Sequence, residues 1–179
     1  MSVGHSVLVV PVPELEHAVR AHWERHEPTW VSSDPEFTHA HITVLAPWLA
    51  APTPAELDAV AAIAGAVPPF GYDLADVAEF PDGTLHTPPV PGAPFLALTR
   101  AAFTAFPDCA PYDGQFGTVD DLVPHLTLDH RLTGATLAST STALDAVLPR
   151  RCRAERLEWH WYDEGGCALR ARWPLGPGP

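Results

Sequence analysis

The 179-residue sequence predicts an α+β fold built as two similar lobes packed together, with a shared groove between them. Three observations lead there. The order of expected elements, strand, helix, strand, helix, hairpin, is followed by helix, strand, helix, hairpin, which is a degenerate internal repeat. The second strand of the first half and the first strand of the second carry the same pattern, His-aliphatic-Thr, at His41–Thr43 and His125–Thr127. No Pro/Gly/Ser-rich linker divides the halves, so residues 1–175 are read as one bilobal domain and residues 176–179 as a disordered tail.

Taken in order, SVLVVPV (residues 6–12) is β-branched and ends at prolines, which marks a first strand. Pro13 suits a first helical position, and Leu15, Val19 and Trp23 recur at helical spacing through His26. HAHITVLAPW (39–48) alternates and is rich in Ile, Thr and Val, so it reads as a strand closed by Pro47. From Pro52 to Ala66, an alanine-rich stretch places Leu57, Val60, Ile63 and Ala64 on one helical stripe. Two short strands are expected between Pro68 and Val90 around the turn Pro81-Asp82-Gly83. Pro94 opens a helix, and residues 107–118 form a long surface loop. The pattern then restarts with strand LVPHLTLDH, a helix from Gly134 to Leu148, and strands 153–162 and 167–173 joined at Gly165-Gly166.

The formal net charge is −12 with ten histidines counted neutral, which opposes attraction to a long polyanion and argues against duplex DNA as a partner. All ten basic side chains are arginine. Without lysine there is no Walker-type phosphate lysine, no Schiff base and no lysyl-nucleotide intermediate of ATP-dependent ligation. Cys109, Cys152 and Cys167 are too few for a disulfide framework and lack zinc-site spacing. No apolar run is long enough to span a bilayer, and no basic region precedes the first apolar run. A cytoplasmic monomer with no membrane partner is expected.

The repeated motif carries the chemistry. In a strand His41 and Thr43 point one way and Ile42 and Val44 the other, and the same holds for His125 and Thr127 against Leu126 and Leu128. Each strand buries an aliphatic face and presents an imidazole beside a hydroxyl, roughly 7 Å apart along the strand. Opening a phosphodiester needs a base for the attacking oxygen and an acid for the departing one, on opposite sides of phosphorus. Two histidines can share those tasks near neutral pH, and two threonine hydroxyls can bind the non-bridging oxygens without a metal.

HAHITVLAPW and VPHLTLDHRL resemble the paired motifs of the 2H phosphoesterases, the superfamily of 2′-5′ RNA ligase-like proteins and RNA 2′,3′-cyclic phosphodiesterases. The resemblance implies a pseudo-twofold pair of lobes, each an antiparallel sheet with helices outside, and a site in the groove between them. It implies His41 and His125 as catalytic residues and Thr43 and Thr127 as phosphate ligands, with no cofactor. The implied activity is hydrolysis of a cyclic phosphate or 2′-linked phosphodiester on a nucleotide or short RNA end, with ligation only as the reverse reaction.

Further candidates lie near the motifs. Arg131 could contact a phosphate, His86 could line the groove, and Trp48, Phe80, Tyr112 and Phe116 could stack on a base. Core packing or loop anchoring competes for each aromatic, and Trp159, Trp161 and Trp173 read as sheet packing. His39 shares a strand face with His41 and is expected to be partly solvated. HWERH (22–26) has its glutamate in the wrong place for a zinc-protease helix. Two other functions compete: a metal hydrolase using His39, His41, His125 and Asp129, and a non-catalytic module that binds a nucleotide or phosphometabolite.

Overall fold

A computed structural model describes residues 4–177 apart from 27 and 116. In chain order its strands and helices are β1 (His5–Pro11), α1 (Glu16–His26), β2 (His41–Leu45), α2 (Pro54–Gly65), β3 (Phe70–Leu74), β4 (Ala78–Glu79), β5 (Thr84–Thr87), β6 (Pro89–Val90), α3 (Ala93–Ala105), β7 (Leu126–His130), α4 (Leu137–Leu144), β8 (Arg150–Ala154), β9 (Arg156–Asp163) and β10 (Gly166–Pro174). The α+β class therefore holds, with antiparallel pairing throughout.

Seven strands form one sheet in the order β10-β9-β1-β2-β7-β5-β4, and β6-β3-β8 form a second. The two halves of the seven-stranded sheet, β10-β9-β1-β2 and β7-β5-β4, meet edge to edge, and each contains strands from both halves of the chain. β2 and β7, the two motif strands, are neighbours joined through the ladder pair of Ile42 with Leu126.

Alternation divides the large sheet into two faces. Leu8 and Val10 of β1, Ile42 and Val44 of β2, and Leu126 and Leu128 of β7 point into the main core, with Tyr72 and Leu74 of β3 and Phe95 and Leu98 of α3. Each such side chain taken out of water stabilises the fold by about 1.5–3 kcal/mol. The opposite face carries a smaller apolar cluster, Val7, Val9 and Ala46, with Tyr162 against it.

Local chemistry sets the helix starts. At α2 the Thr53 side chain and Glu56 form a reciprocal capping box ahead of Pro54, and Thr136 with Ser139 does the same at α4. The Pro81-Asp82-Gly83 turn joins β4 to β5, with Gly83 at φ 98° and the Asp82 carboxylate accepting from the Thr84 N–H. The positive φ is one that glycine adopts without steric cost.

Several boundaries differ from expectation. The strand read over 153–162 is two strands in different sheets, because the chain crosses from β8 to β9 at Glu155. The two strands expected over 68–90 are four short ones for the same reason, since β3 and β6 belong to one sheet and β4 and β5 to the other. The expected tail begins on the body of the fold: Leu175 is buried, and the Gly176 N–H donates to the Ala64 carbonyl at 3.1 Å. Residues 178–179 lie outside the described set. All three cysteines are buried, and among the described residues no helix is long and apolar enough to cross a membrane.

Candidate active site

Because Ile42 and Leu126 pair in antiparallel sense, the residues on either side of them come opposite one another across the seam, His41 toward Thr127 and Thr43 toward His125. All four share the face opposite the main core. The seam thus gathers two imidazoles and two hydroxyls in a pseudo-twofold arrangement.

Each histidine is anchored in the same way. His41 Nδ1 lies 2.7 Å from the carbonyl oxygen of His39, and His125 Nδ1 lies 2.8 Å from that of Val123. A carbonyl only accepts, so Nδ1 carries the proton in both rings and Nε2 is left for other chemistry. His125 sits one residue before β7 begins, and both rings are partly buried.

A clamp from α1 holds the anchor of His41. Glu16 Oε1 lies 2.7 Å from His39 Nδ1, and Glu16 Oε2 accepts from the Ala40 N–H at 2.9 Å. The Ser32 N–H donates to His39 Nε2 at 3.0 Å. Against the expectation of partial solvation, His39 is buried with both ring nitrogens engaged, because α1 and the 31–38 segment close over it.

The surroundings shift both imidazoles downward. Loss of hydration, with His160 beside it, pushes His41 down to about 3, against an upward pull from the His39 carbonyl. Burial also lowers His125, while the Val123 carbonyl and Asp82 pull it up and His86 pushes it down.

Each ring has a second histidine against it. His41 and His160 meet edge to face at 5.5 Å and 79°, and His125 and His86 do so at 5.4 Å and 71°. His86 stacks on Phe80 at 3.6 Å, and Phe80 meets His125 edge-on at 4.9 Å. His86 is buried and pairs with Thr127 in the ladder, so it lies on the motif face beside His125. Phe80 is partly exposed beside His125. Tyr112 hydrogen-bonds Thr43 through its side chain and, at φ 51°, donates its N–H to the Ala46 carbonyl. Burial raises its hydroxyl above the usual tyrosine range.

Other sequence candidates lie elsewhere. Trp48 is a core residue, 4% exposed and packed edge-on against Phe106 and Trp159, because the chain after Pro47 turns it inward. Arg131 directs its exposed guanidinium to Glu79 of β4. Phe116 lies outside the described residues. Trp159 and Trp173 pack against the main core, while Trp161 donates to Asp163 and takes Arg170 on its face.

The set His39, His41, His125 and Asp129 is not assembled. His39 is committed to Glu16 and Ser32, and Asp129 accepts from the His130 N–H and the Thr133 hydroxyl and faces His22. Among the described residues no cluster of three or more His, Cys, Asp or Glu is arranged to hold a metal ion.

Two residues of the site escape sequence reading. Glu158 and His160 of β9 are completely buried on the motif face, whereas the sequence singles out only the tryptophans beside them, Trp159 and Trp161, as packing. Their Glu-x-His spacing in a strand is the available signal, since it puts two polar groups on one face.

With this geometry in place, the chain belongs to the 2′-5′ RNA ligase superfamily, whose pattern it matches over residues 11–166. Its fold is that of solved phosphoesterases. Escherichia coli LigT complexed with NADP+ superposes with a TM-score of 0.58 at 14% identity, covering 98% of this chain and 99% of that one. LigT with 3′-AMP gives 0.56 at 15%, covering 96% and 97%. The protein TT0787 of Thermus thermophilus gives 0.60 at 17%, covering 97% and 100%. No curated protein matches the chain in sequence.

Proposed function

We propose that the protein is a metal-independent phosphodiesterase that hydrolyses a cyclic phosphate or a 2′-linked phosphodiester on a nucleotide or short RNA end. The observation that carries this reading is the repeated anchor, Nδ1 of each motif histidine on the carbonyl two residues back. It gives two imidazoles of the same tautomer, one from each half of the sheet, on the face where two threonine hydroxyls also lie.

In-line hydrolysis assigns these groups directly. Nε2 of one neutral histidine takes a proton from water as its oxygen bonds to phosphorus, and the other, entering as imidazolium with a second proton on Nε2, gives that proton to the departing ribose oxygen. The hydroxyls of Thr43 and Thr127 donate to the non-bridging oxygens, and Tyr112 holds Thr43 in place. Phe80, partly exposed beside His125, offers a ring for a base. The superfamily membership and the LigT-like fold agree with a phosphoesterase. Ligation is restricted to the reverse reaction, because no lysine is present to carry a nucleotide.

The test is incubation in excess chelator with 2′,3′-cyclic nucleotides, 2′-5′ dinucleotides and cyclic-phosphate-ended RNAs. Turnover of at least one is expected. Tight binding of all three classes with no product would replace this reading with that of a binding module.

A further inference from the structure

Glu158 and His160 are two residues apart on β9, and the ladder sets them beside Val9 and Val7 of β1. Val9 also pairs with Thr43 of β2, so both polar side chains lie on the face that carries His41. Both are completely buried. A carboxylate there is costly unless its oxygens are satisfied, and both are: Oε1 accepts from Arg156 Nε at 2.7 Å and Oε2 from His160 Nε2 at 2.8 Å.

A carboxylate only accepts, so a His160 proton is on Nε2, and Nδ1 faces the Tyr162 hydroxyl at 3.5 Å. Phe37 covers the ring at 4.2 Å. The imidazole is thereby fixed in place, and it is this fixed ring that His41 meets edge to face at 5.5 Å. The other half is built differently. His86 stacks on Phe80 with its Nδ1 3.4 Å from the Thr84 carbonyl, and the carboxylate on this side, Asp82, acts on His86 and His125 through space. The motif histidines have equal anchors and unequal backing.

Resting on the phosphodiesterase reading, we propose that Arg156, Glu158 and His160 are a positioning relay for His41 that makes it the proton acceptor of the pair. His41 Nε2 takes a proton from water as the water oxygen bonds to phosphorus, and the His125 imidazolium gives its proton to the ribose oxygen as that P–O bond breaks. The carboxylate one ring away stabilises the positive charge that His41 gains during attack, and so acts on the transition state more than on the ground state. Loss of hydration lowers both imidazoles and His41 furthest, to about 3, so His41 enters neutral, while the charge of a bound phosphate, with the Val123 carbonyl and Asp82, supports the proton on His125.

The test uses the full chain, adenosine 2′,3′-cyclic phosphate as substrate, and 15N-histidine spectra that read the His41 tautomer without turnover. Glu158→Gln keeps shape and removes charge; His160→Gln keeps a donor toward Glu158 and removes the ring. Both are expected to lower kcat about tenfold or more with KM within about twofold, and His160→Gln to turn the single Nδ1–H form of His41 into a mixture. Wild-type kcat in both variants would overturn the relay, as would a fall in kcat that follows melting temperature with the His41 tautomer unchanged.

Arg156→Gln, at the partly exposed end of the relay, supplies the same readouts if the buried variants do not fold. On a thymidine 4-nitrophenyl phosphodiester, whose leaving group needs no acid, His125→Ala is expected to keep far more of its rate than His41→Ala; the reverse order would overturn the assignment of acceptor. Should the wild type cleave no diester, the functional reading falls on its own, and an unaltered His41 tautomer in both glutamine variants would separately overturn the relay.

Discussion

Ile42 and Leu126 form the ladder pair that joins the two halves of the large sheet, and neither exposes any surface. The pair's side chains anchor the seam in the core, and alternation along each strand turns the flanking His41, Thr43, His125 and Thr127 to the opposite face.

Truncating the seam is therefore expected to be costly. Leu126→Ala or Ile42→Ala should lower unfolding free energy by about 2–5 kcal/mol in urea titrations. A loss well under about 1 kcal/mol would mean that the halves are held together by other contacts.

Removing either motif imidazole should abolish most turnover and leave the fold intact. His41→Ala and His125→Ala are each expected to reduce kcat about 10²- to 10⁴-fold, with unchanged circular dichroism. Full activity in either variant would rule out the two-histidine mechanism.

Acid should destabilise the protein over a definite window. The His41 imidazole is held at about 3 in the folded chain against a reference of 6.5. Between those values the unfolded chain binds a proton that the folded chain refuses, so stability rises with pH. The contribution is complete above the reference value and shrinks as pH falls through the window. His22, His86, His125 and His160 are shifted the same way and add with the same sign. The urea midpoint should fall steadily from about pH 7 to about pH 4.5, and His41→Gln should flatten part of that slope.

Glu16 ties α1 to the backbone beneath His41. Glu16→Gln keeps one acceptor and loses the charge, so it should cost about 1–3 kcal/mol in stability and reduce kcat more than it raises KM. An effect on KM alone would place Glu16 in substrate binding.

Trp48→Phe separates packing from recognition. The Trp48 indole Nε1 has no hydrogen-bond partner among the described residues, so the change removes volume without breaking a bond. It should cost about 1–2 kcal/mol and leave KM for the cyclic nucleotide unchanged; a KM rise of about tenfold would make Trp48 a substrate contact after all.

Much of this is legible in the chain. The motif strands, the turn at Asp82 and Gly83, and the helices expected from Pro52 and Pro94 follow from short-range alternation, helical spacing and turn chemistry. Those signals act over a few residues and survive whatever packs around them. The break at Glu155 is not legible, because nothing local distinguishes a continuous strand from two that serve different sheets.

Alternation along β9 establishes that Glu158 shares a face with His160, and along β2 that His41 shares one with Thr43. It does not say which face is dry. That depends on Phe37 covering His160, on Arg156 reaching the carboxylate, and on α1 bringing Glu16 to His39, contacts that only the folded chain makes. Whether a polar group is hydrated or buried follows from what lies above it in space, and no pattern of neighbours along the chain encodes that.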